Sequence, residues 1–298
     1  MKKQPTIVYI AVNGTCTADP DENLFEKLAG INAGEPRPYS KKLDRNVSGG
    51  GTALWVKSPG GIYMIDSGDH DDIDILRKSL VEIARAEKVD PTKAVRAIYS
   101  SHAHGDHSGN HFLFPDAYWM IDAKDALFDV IYGKDVKDAG KWQGHRKAFI
   151  DNIKRGITAD RFTRYNNNVH PGKPEGLRII DTPGHDHVHK SFAIEDDEVV
   201  IRNLETGEEY VTPKAVFTGD CICDQRFLAR FLIQNPEIKK TAIYGNAIPL
   251  DQWAPPKDQA ERDMLDKQNL ESMERLVKEG KEGLLIFGHG GVYDLNHR

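Results

Sequence analysis

The sequence predicts a layered α/β architecture, and three observations lead there. Short apolar, β-branched runs recur along the chain, among them residues 6–12, 61–65 and 94–99. Between the last two, residues 72–88 place Ile73, Leu76, Leu80, Ile83 and Ala84 at helical spacing with charges opposite, the pattern of a surface helix laid on a sheet. Strand, helix and strand then follow one another with a polar loop at the carboxyl end of a strand, as in folds that stack helices on sheets.

Taken in order, Thr6 to Val12 forms a first strand. Residues 19–51, rich in Gly, Pro, Asn and charge, form a long loop with one helical turn near Leu24 to Leu28. Thr52 to Val56 and Gly61 to Ile65 make a hairpin around Ser58-Pro59-Gly60. Asp69 or Asp71 caps the helix of residues 72–88, and Pro91 stops it. A strand over 94–99, a short segment at His111 to Phe114 and a strand at Ala117 to Ile121 come next. Within 122–170, helices are expected at Asp125 to Tyr132 and Lys141 to Lys154. Leu177 to Ile180, Ser191 to Ile194, Glu198 to Asn203, Glu208 to Val211 and Ala215 to Thr218 are strands, with turns at Asp196-Asp197 and Glu205-Thr206-Gly207. After a loop-like stretch over 224–257 come a long helix, Asp258 to Lys278, with Gly280 beyond its end, and a last strand, Leu284 to Phe287.

With 298 residues, 39% hydrophobic and 29% charged, the chain can bury a sizeable core, and no linker or repeat divides it, so one domain over 1–298 is expected. A net charge of −6 argues against a general polyanion binder, so no nucleic-acid partner is expected. No apolar run approaches the roughly 20 residues of a membrane span, and the stretch after Met1-Lys2-Lys3 is too short for a secretory signal. Cys16, Cys221 and Cys223 cannot all pair, which argues against a disulfide framework. The expectation is a cytoplasmic protein acting on a small molecule.

Residues 100–110 read Ser-Ser-His-Ala-His-Gly-Asp-His-Ser-Gly-Asn. In an extended segment alternate residues point the same way, so His102 and His104 can aim two imidazoles at one point. Gly105 lets the chain turn and present Asp106 and His107 to a neighbouring point. Imidazole and carboxylate together suit a borderline divalent ion such as zinc, and the same donors admit iron, manganese or cobalt. Five strands end in a turn carrying such a residue: Asp66, the 102–107 stretch, His185, Asp220 and His289. Asp in one turn is commonplace and a lone His after Pro-Gly means little; the set together is not accidental.

In these turns the chain resembles the metallo-β-lactamase-fold hydrolases. The family's His-x-His-x-Asp-His motif stands at 102–107, followed in order by Thr182-Pro183-Gly184-His185, Gly219-Asp220 and Gly288-His289. The resemblance implies a four-layered αββα sandwich with two metal ions at one edge, between the two sheets. It implies that His102, His104 and His185 hold the first ion and Asp106, His107 and His289 the second. Asp220 then bridges them, and Asp66 supports the histidine loop from behind.

Such a centre acidifies a bound water, and the resulting metal-bound hydroxide attacks an acyl or phosphoryl centre, with Asp106 a candidate proton carrier to the leaving group. An ester, lactone or related acyl bond is the first expectation, because the 182–185 turn and the Asp220 bridge resemble those of lactonase-like and glyoxalase-II-like members. Cys223 departs from the lactonases, which carry tyrosine there, and no basic cluster suits glutathione. Alternatives are a phosphodiester or phosphotriester hydrolase, a β-lactamase, a thioesterase, an iron redox member, or a non-catalytic binding protein. β-Lactamases use Cys or Ser at the bridging position, and the di-iron flavoproteins carry Glu in place of His104. His187 and His189 alternate with His185 and suit a supporting or substrate-facing role, His187 first of the two. Cys221 and Cys223 read as buried thiols. His111 reads as packing near the site, and His70, His145, His170 and His297 as surface residues. Tyr244 to Leu250 and Trp253 to Pro256 suit a pocket wall, a structural loop or a homo-oligomer contact.

Overall fold

The computed structural model describes residues 4–14, 50–122, 161–163, 165, 174–232 and 258–296. The expected features at 19–49, at 125–132 and 141–154, at 244–256, and at Cys16, His145, His170 and His297 lie outside these residues.

Eleven strands among the described residues form one sheet. They are β1 (Thr6–Val12), β2 (Ala53–Ser58), β3 (Gly61–Ile65), β4 (Ala97–Tyr99), β5 (Tyr118–Met120), β6 (Phe162–Thr163), β7 (Leu177–Asp181), β8 (Lys190–Asn203), β9 (Glu209–Phe217), β10 (Leu284–Ile286) and β11 (Val292–Tyr293). Their order is β11-β10-β9-β8-β1-β2-β3-β4-β5-β6, with β7 on the free side of the first part of β8. Strand β1 joins the two halves, antiparallel to β2 and parallel to β8.

The period-2 alternation of the strands shows how this sheet becomes two layers. Val8 and Ile10 of β1 and Leu54 and Val56 of β2 share one apolar cluster with Phe192 and Ile194 of β8, Phe217 of β9 and Ile286 of β10. Residues from distant parts of one sheet can meet only if the sheet folds over on itself. The intervening residues face outward: Tyr9, Ala11 and Trp55 pack with Leu76, Leu80 and Ile83 of helix α1 (Ile73–Glu87). On the opposite side Ala193, Val216 and Leu285 pack with Met273 and Leu276 of the last helix (Gln259–Gly280) and with Phe227, Leu228 and Phe231 of a shorter one (Gln225–Leu232). Helix, half-sheet, half-sheet and helix make the expected αββα sandwich.

Several boundaries differ from the sequence reading. Helix α1 ends before Pro91, because Lys88 takes the left-handed conformation at φ 56°; Pro91 opens a separate turn capped by the Asp90 carboxylate. Asp69 caps a 3₁₀ turn, His70–Asp72, ahead of α1. The turn expected at Asp196-Asp197 is a bulge within one continuous strand β8. Three residues, 196–198, face the single residue Pro213 of β9, which has no N–H to offer the ladder. The runs 208–211 and 215–218 are accordingly joined across Pro213 in β9. Gly280 ends the last helix instead of following it, lying under Leu285 and Leu295. The helix at Gln225–Leu232 falls where a loop was expected.

Candidate metal centre

The predicted donors stand at carboxyl ends of strands from both halves of the sheet. Strand β4 runs parallel to β3 and delivers His102 and His104. A single helical turn, α2 (Gly105–Ser108), follows and carries Asp106 and His107. β7 leads to His185, β9 to Asp220 and β10 to His289. Backbone hydrogen bonds tie these ends together: Ser67 N–H to His107 O at 2.8 Å, Lys190 N–H to Ser101 O at 2.8 Å, and His289 N–H to Cys223 O at 2.7 Å.

The seven side chains converge in two groups that share one residue. His102, His104, His185 and Asp220 have donor atoms all within 4.8 Å of one another, and so do Asp106, His107, His289 and Asp220. In the first group His104 Nδ1 lies 3.1 Å from His185 Nε2, and Asp220 Oδ2 lies 3.4 Å from His185 Nε2 and 3.9 Å from His102 Nε2. In the second, His107 Nε2 is 3.0 Å from Asp220 Oδ1 and 3.5 Å from Asp106 Oδ2. His289 Nε2 is 3.2 Å from Asp220 Oδ2 and 3.5 Å from Asp106 Oδ2. Ligands about 2.0–2.1 Å from a tetrahedral ion stand about 3.3 Å apart, and the spacings of 3.0–3.5 Å are close to that value, the 3.9 Å one being longer.

Hydrogen bonding prepares these donors. The Asp66 carboxylate accepts from Ser101 N–H and Ser101 Oγ–H, both at 2.7 Å, and from His107 Nδ1–H at 2.8 Å. Since the Ser101 proton goes to Asp66, its oxygen accepts from His102 Nδ1–H at 2.9 Å. One buried carboxylate thus sets two imidazoles with Nδ1 protonated, directly and through Ser101, and turns both Nε2 atoms inward. His102 Nε2, His107 Nε2 and Asp220 Oδ1 are buried with no hydrogen-bond partner among the described residues; the last two face each other without the alignment of a hydrogen bond. Buried polar atoms left this way are costly unless something fills the space between them. The donor set fits a divalent ion.

Electrostatics follow the same geometry. Burial, with His104 and His107 alongside, holds His102 well below the usual imidazole range, and burial lowers His185. Burial opposes the charged form of His107 too, but Asp220, Asp106 and Asp66 outweigh it and raise it well above the usual value. His289 is likewise lifted, to about 9, by Asp220 and Asp106 against burial. Burial pushes Asp220 up, but His107 and His289 pull it well below the usual carboxylate range. Protons on His107 and His289 stand where a cation's charge would balance the carboxylates.

The remaining candidates are distributed differently. Residues 185–189 form a compact turn, in which Asp186 O accepts from Gly184 N–H and His189 N–H, so the three histidines do not face one way. His187 lies outside both donor groups, its Nε2 3.9 Å from Glu261 Oε1 of the last helix. His189 is buried against the Asp220 backbone, accepting its N–H at 3.1 Å. Cys221 and Cys223 are both buried; Cys221 lies on a 3₁₀ turn, Gly219–Ile222, and Cys223 directly follows it in helical conformation, so neither is on an extended segment. His111 bridges Ser67 Oγ at 2.6 Å and Ser100 Oγ at 3.0 Å, bracing the ends of β3 and β4. His70 is exposed. Ser101 went unnoticed in the sequence because a serine beside a histidine carries no signal until its partners are known.

No curated protein matches the sequence. Among solved structures, a metallo-β-lactamase-like protein of Thermotoga maritima superimposes with a TM-score of 0.54 at 15% identity, covering 98% of this chain and 100% of that one. A probable metal-dependent hydrolase from Staphylococcus aureus gives 0.51 at 15% identity, covering 97% and 91%. A hydrolase of the β-lactamase superfamily, AbOPH, gives 0.50 at 17% identity, covering 98% and 87%. These likenesses show a shared fold. The sequence profile of the metallo-β-lactamase superfamily matches residues 48–289, from the glycine run before β2 to the last histidine of the donor groups, and the chain therefore belongs to that superfamily.

Proposed function

We propose that this protein is a divalent-metal-dependent hydrolase of an ester, lactone or related acyl bond. His102, His104 and His185 hold one ion, Asp106, His107 and His289 a second, and Asp220 lies between them. The observation that carries this reading is that Asp220 belongs to both donor groups. Imidazoles with two carboxylates suit zinc, and iron or manganese fit the same donors. Two such ions, when bound, supply a coordinated water acidified to about pKa 7 and a Lewis-acid contact for the substrate's acyl oxygen.

The chain's own residues do the rest. Asp66 keeps His102 and His107 aimed inward. Asp106 is the most open of the donors, with 24% of its side chain exposed, while Asp220 and His107 are sealed below it. Substrate therefore approaches over Asp106 and His289. Asp106, in this reading, passes a proton to the departing alcohol oxygen after the acyl bond is attacked. The acyl preference rests on the Thr182–His185 turn and on an aspartate at position 220.

A panel of p-nitrophenyl esters, lactones, β-lactams, thioesters and bis-p-nitrophenyl phosphate, run with and without a chelator, tests the reading. Chelator-sensitive turnover of esters or lactones is expected. Turnover confined to the phosphodiester would overturn the acyl assignment, and no chelator-sensitive turnover at all would overturn the hydrolase reading.

A further inference from the structure

His189 is wholly buried and belongs to neither donor group. Its Nε2 accepts the backbone N–H of Asp220 at 3.1 Å. A nitrogen that accepts carries no proton, so this imidazole is neutral with its single proton on Nδ1. Nδ1 lies 2.8 Å from Thr182 Oγ1 and donates to it. Thr182 Oγ1 lies 2.9 Å from Ser191 Oγ, and Ser191 Oγ–H donates to Thr218 O at 2.8 Å. Because Ser191 has spent its proton on that carbonyl, Thr182 must donate to Ser191. Every proton in the chain then has one direction.

The chain starts at the N–H of Asp220 and ends at the carbonyl of Thr218, so it closes around Gly219. At that residue φ is +53°, and a Cβ would lie 2.7 Å from His189 Nε2 and 2.9 Å from Ser101 Cβ. The imidazole thus presses on the open face of the glycine while bonding the next N–H. Three side chains from the β7 end and the start of β8 hold one peptide turn at the end of β9.

We propose that His189 is a positioning residue: as a neutral, Nδ1-protonated imidazole it holds the Asp220 backbone and so aims the Asp220 carboxylate between the two donor groups. The proposal rests on the reading of Asp220 as the shared ligand. Removing the acceptor at Nε2 should therefore weaken both ion positions together, by about 10–100-fold, as for other residues that orient a ligand from behind.

Two variants separate the acceptor from its bulk. In His189→Gln the side-chain carbonyl reaches the place of Nε2 and keeps the bond to Asp220. In His189→Asn the amide reaches only the place of Nδ1 and loses that bond. Zinc affinity is measured for both and for the wild type by competition with a chromophoric chelator, beside thermal melts. His189→Asn is expected to lose about 10–100-fold at both positions and His189→Gln to stay within a few-fold of wild type. Equal affinities in all three proteins, or equal losses in both variants, would overturn the proposal. Should His189→Asn fail to fold, Thr182→Val, which removes the acceptor of the Nδ1 proton, takes its place with the same two readings.

A second readout needs no metal. Long-range ¹H–¹⁵N correlation of the imidazoles in the metal-free protein should show His189 neutral with Nδ1 protonated; the Nε2–H tautomer would overturn the proposal. If the wild type takes up no zinc, the shared-ligand reading falls, and the tautomer still decides the role of His189.

Discussion

Asp66 shows how much a single residue settles. It sits at φ 53°, a conformation uncommon outside glycine, at the end of β3. From there one carboxylate takes three hydrogen bonds and determines the tautomers of His102 and His107. Asparagine also tolerates the left-handed region, so Asp66→Asn keeps the backbone while losing charge and one acceptor. Zinc affinity, measured by chelator competition, should drop about 10–100-fold with the fold intact by circular dichroism; unchanged affinity would contradict the role given to Asp66. The donors themselves were legible in the sequence because His and Asp at close spacing after a strand have few other uses. A supporting role for His189 was legible too, but not its partner, a backbone N–H; Ser101 was not, since its partners are a carboxylate and another side chain's proton.

Glu205 offers a separate test away from the donors. One of its oxygens accepts Asn13 N–H at 2.9 Å; the other is buried with no partner among the described residues. Burial raises its pKa from 4.5 to about 7. Between these values the native state holds a proton that the unfolded chain has released, so stability falls as pH rises through the interval. The full loss, about 3 kcal/mol, is reached above the folded value. Glu205→Gln should leave stability near wild type at about pH 4 and raise it by up to about 3 kcal/mol at about pH 8, read by urea denaturation. The same change at both pH values would contradict this account.

Among elements, the last helix (Gln259–Gly280, α4 after α3 at Gln225–Leu232) does more than cover the sheet. Ser272 Oγ–H donates to Pro183 O at 2.9 Å and Arg275 to Asp181 O at 2.6 Å, gripping the turn that carries His185. Gly184 lies against the helix backbone: at φ +136° a Cβ would come within 2.3 Å of Asn269 Cα. Gly184→Ala should therefore destabilise the protein by about 3 kcal/mol or more. A loss under about 1 kcal/mol in urea denaturation would show that the helix can retreat. Helix α4 itself was readable from its apolar spacing; Asp258, expected as its first residue, is its cap, with a carboxylate that accepts Glu261 N–H. Helix α3 was not, because eight residues hold barely two turns of periodicity. Nor was the bulge at 196–198, because a pair of aspartates reads as a turn until the Pro213 opposite them is known.

Across the whole molecule, the sandwich is one sheet folded over, and the centre lies where strand ends of its two halves meet. Alternation along each strand made two buried faces legible, but not that β8 would run unbroken from β7 to β1. That continuity matters, because His102, His104, Asp106 and His107 come from one half and His185, Asp220 and His289 from the other. Asp220 is the residue through which the two donor groups become one centre. The most direct measurement is the metal content of the purified chain by mass spectrometry, for wild type and for Asp220→Ala. About two equivalents of divalent metal per chain are expected for wild type, falling below about one for the variant because both positions lose a ligand. A single equivalent in the wild type, or two retained by Asp220→Ala, would contradict the account.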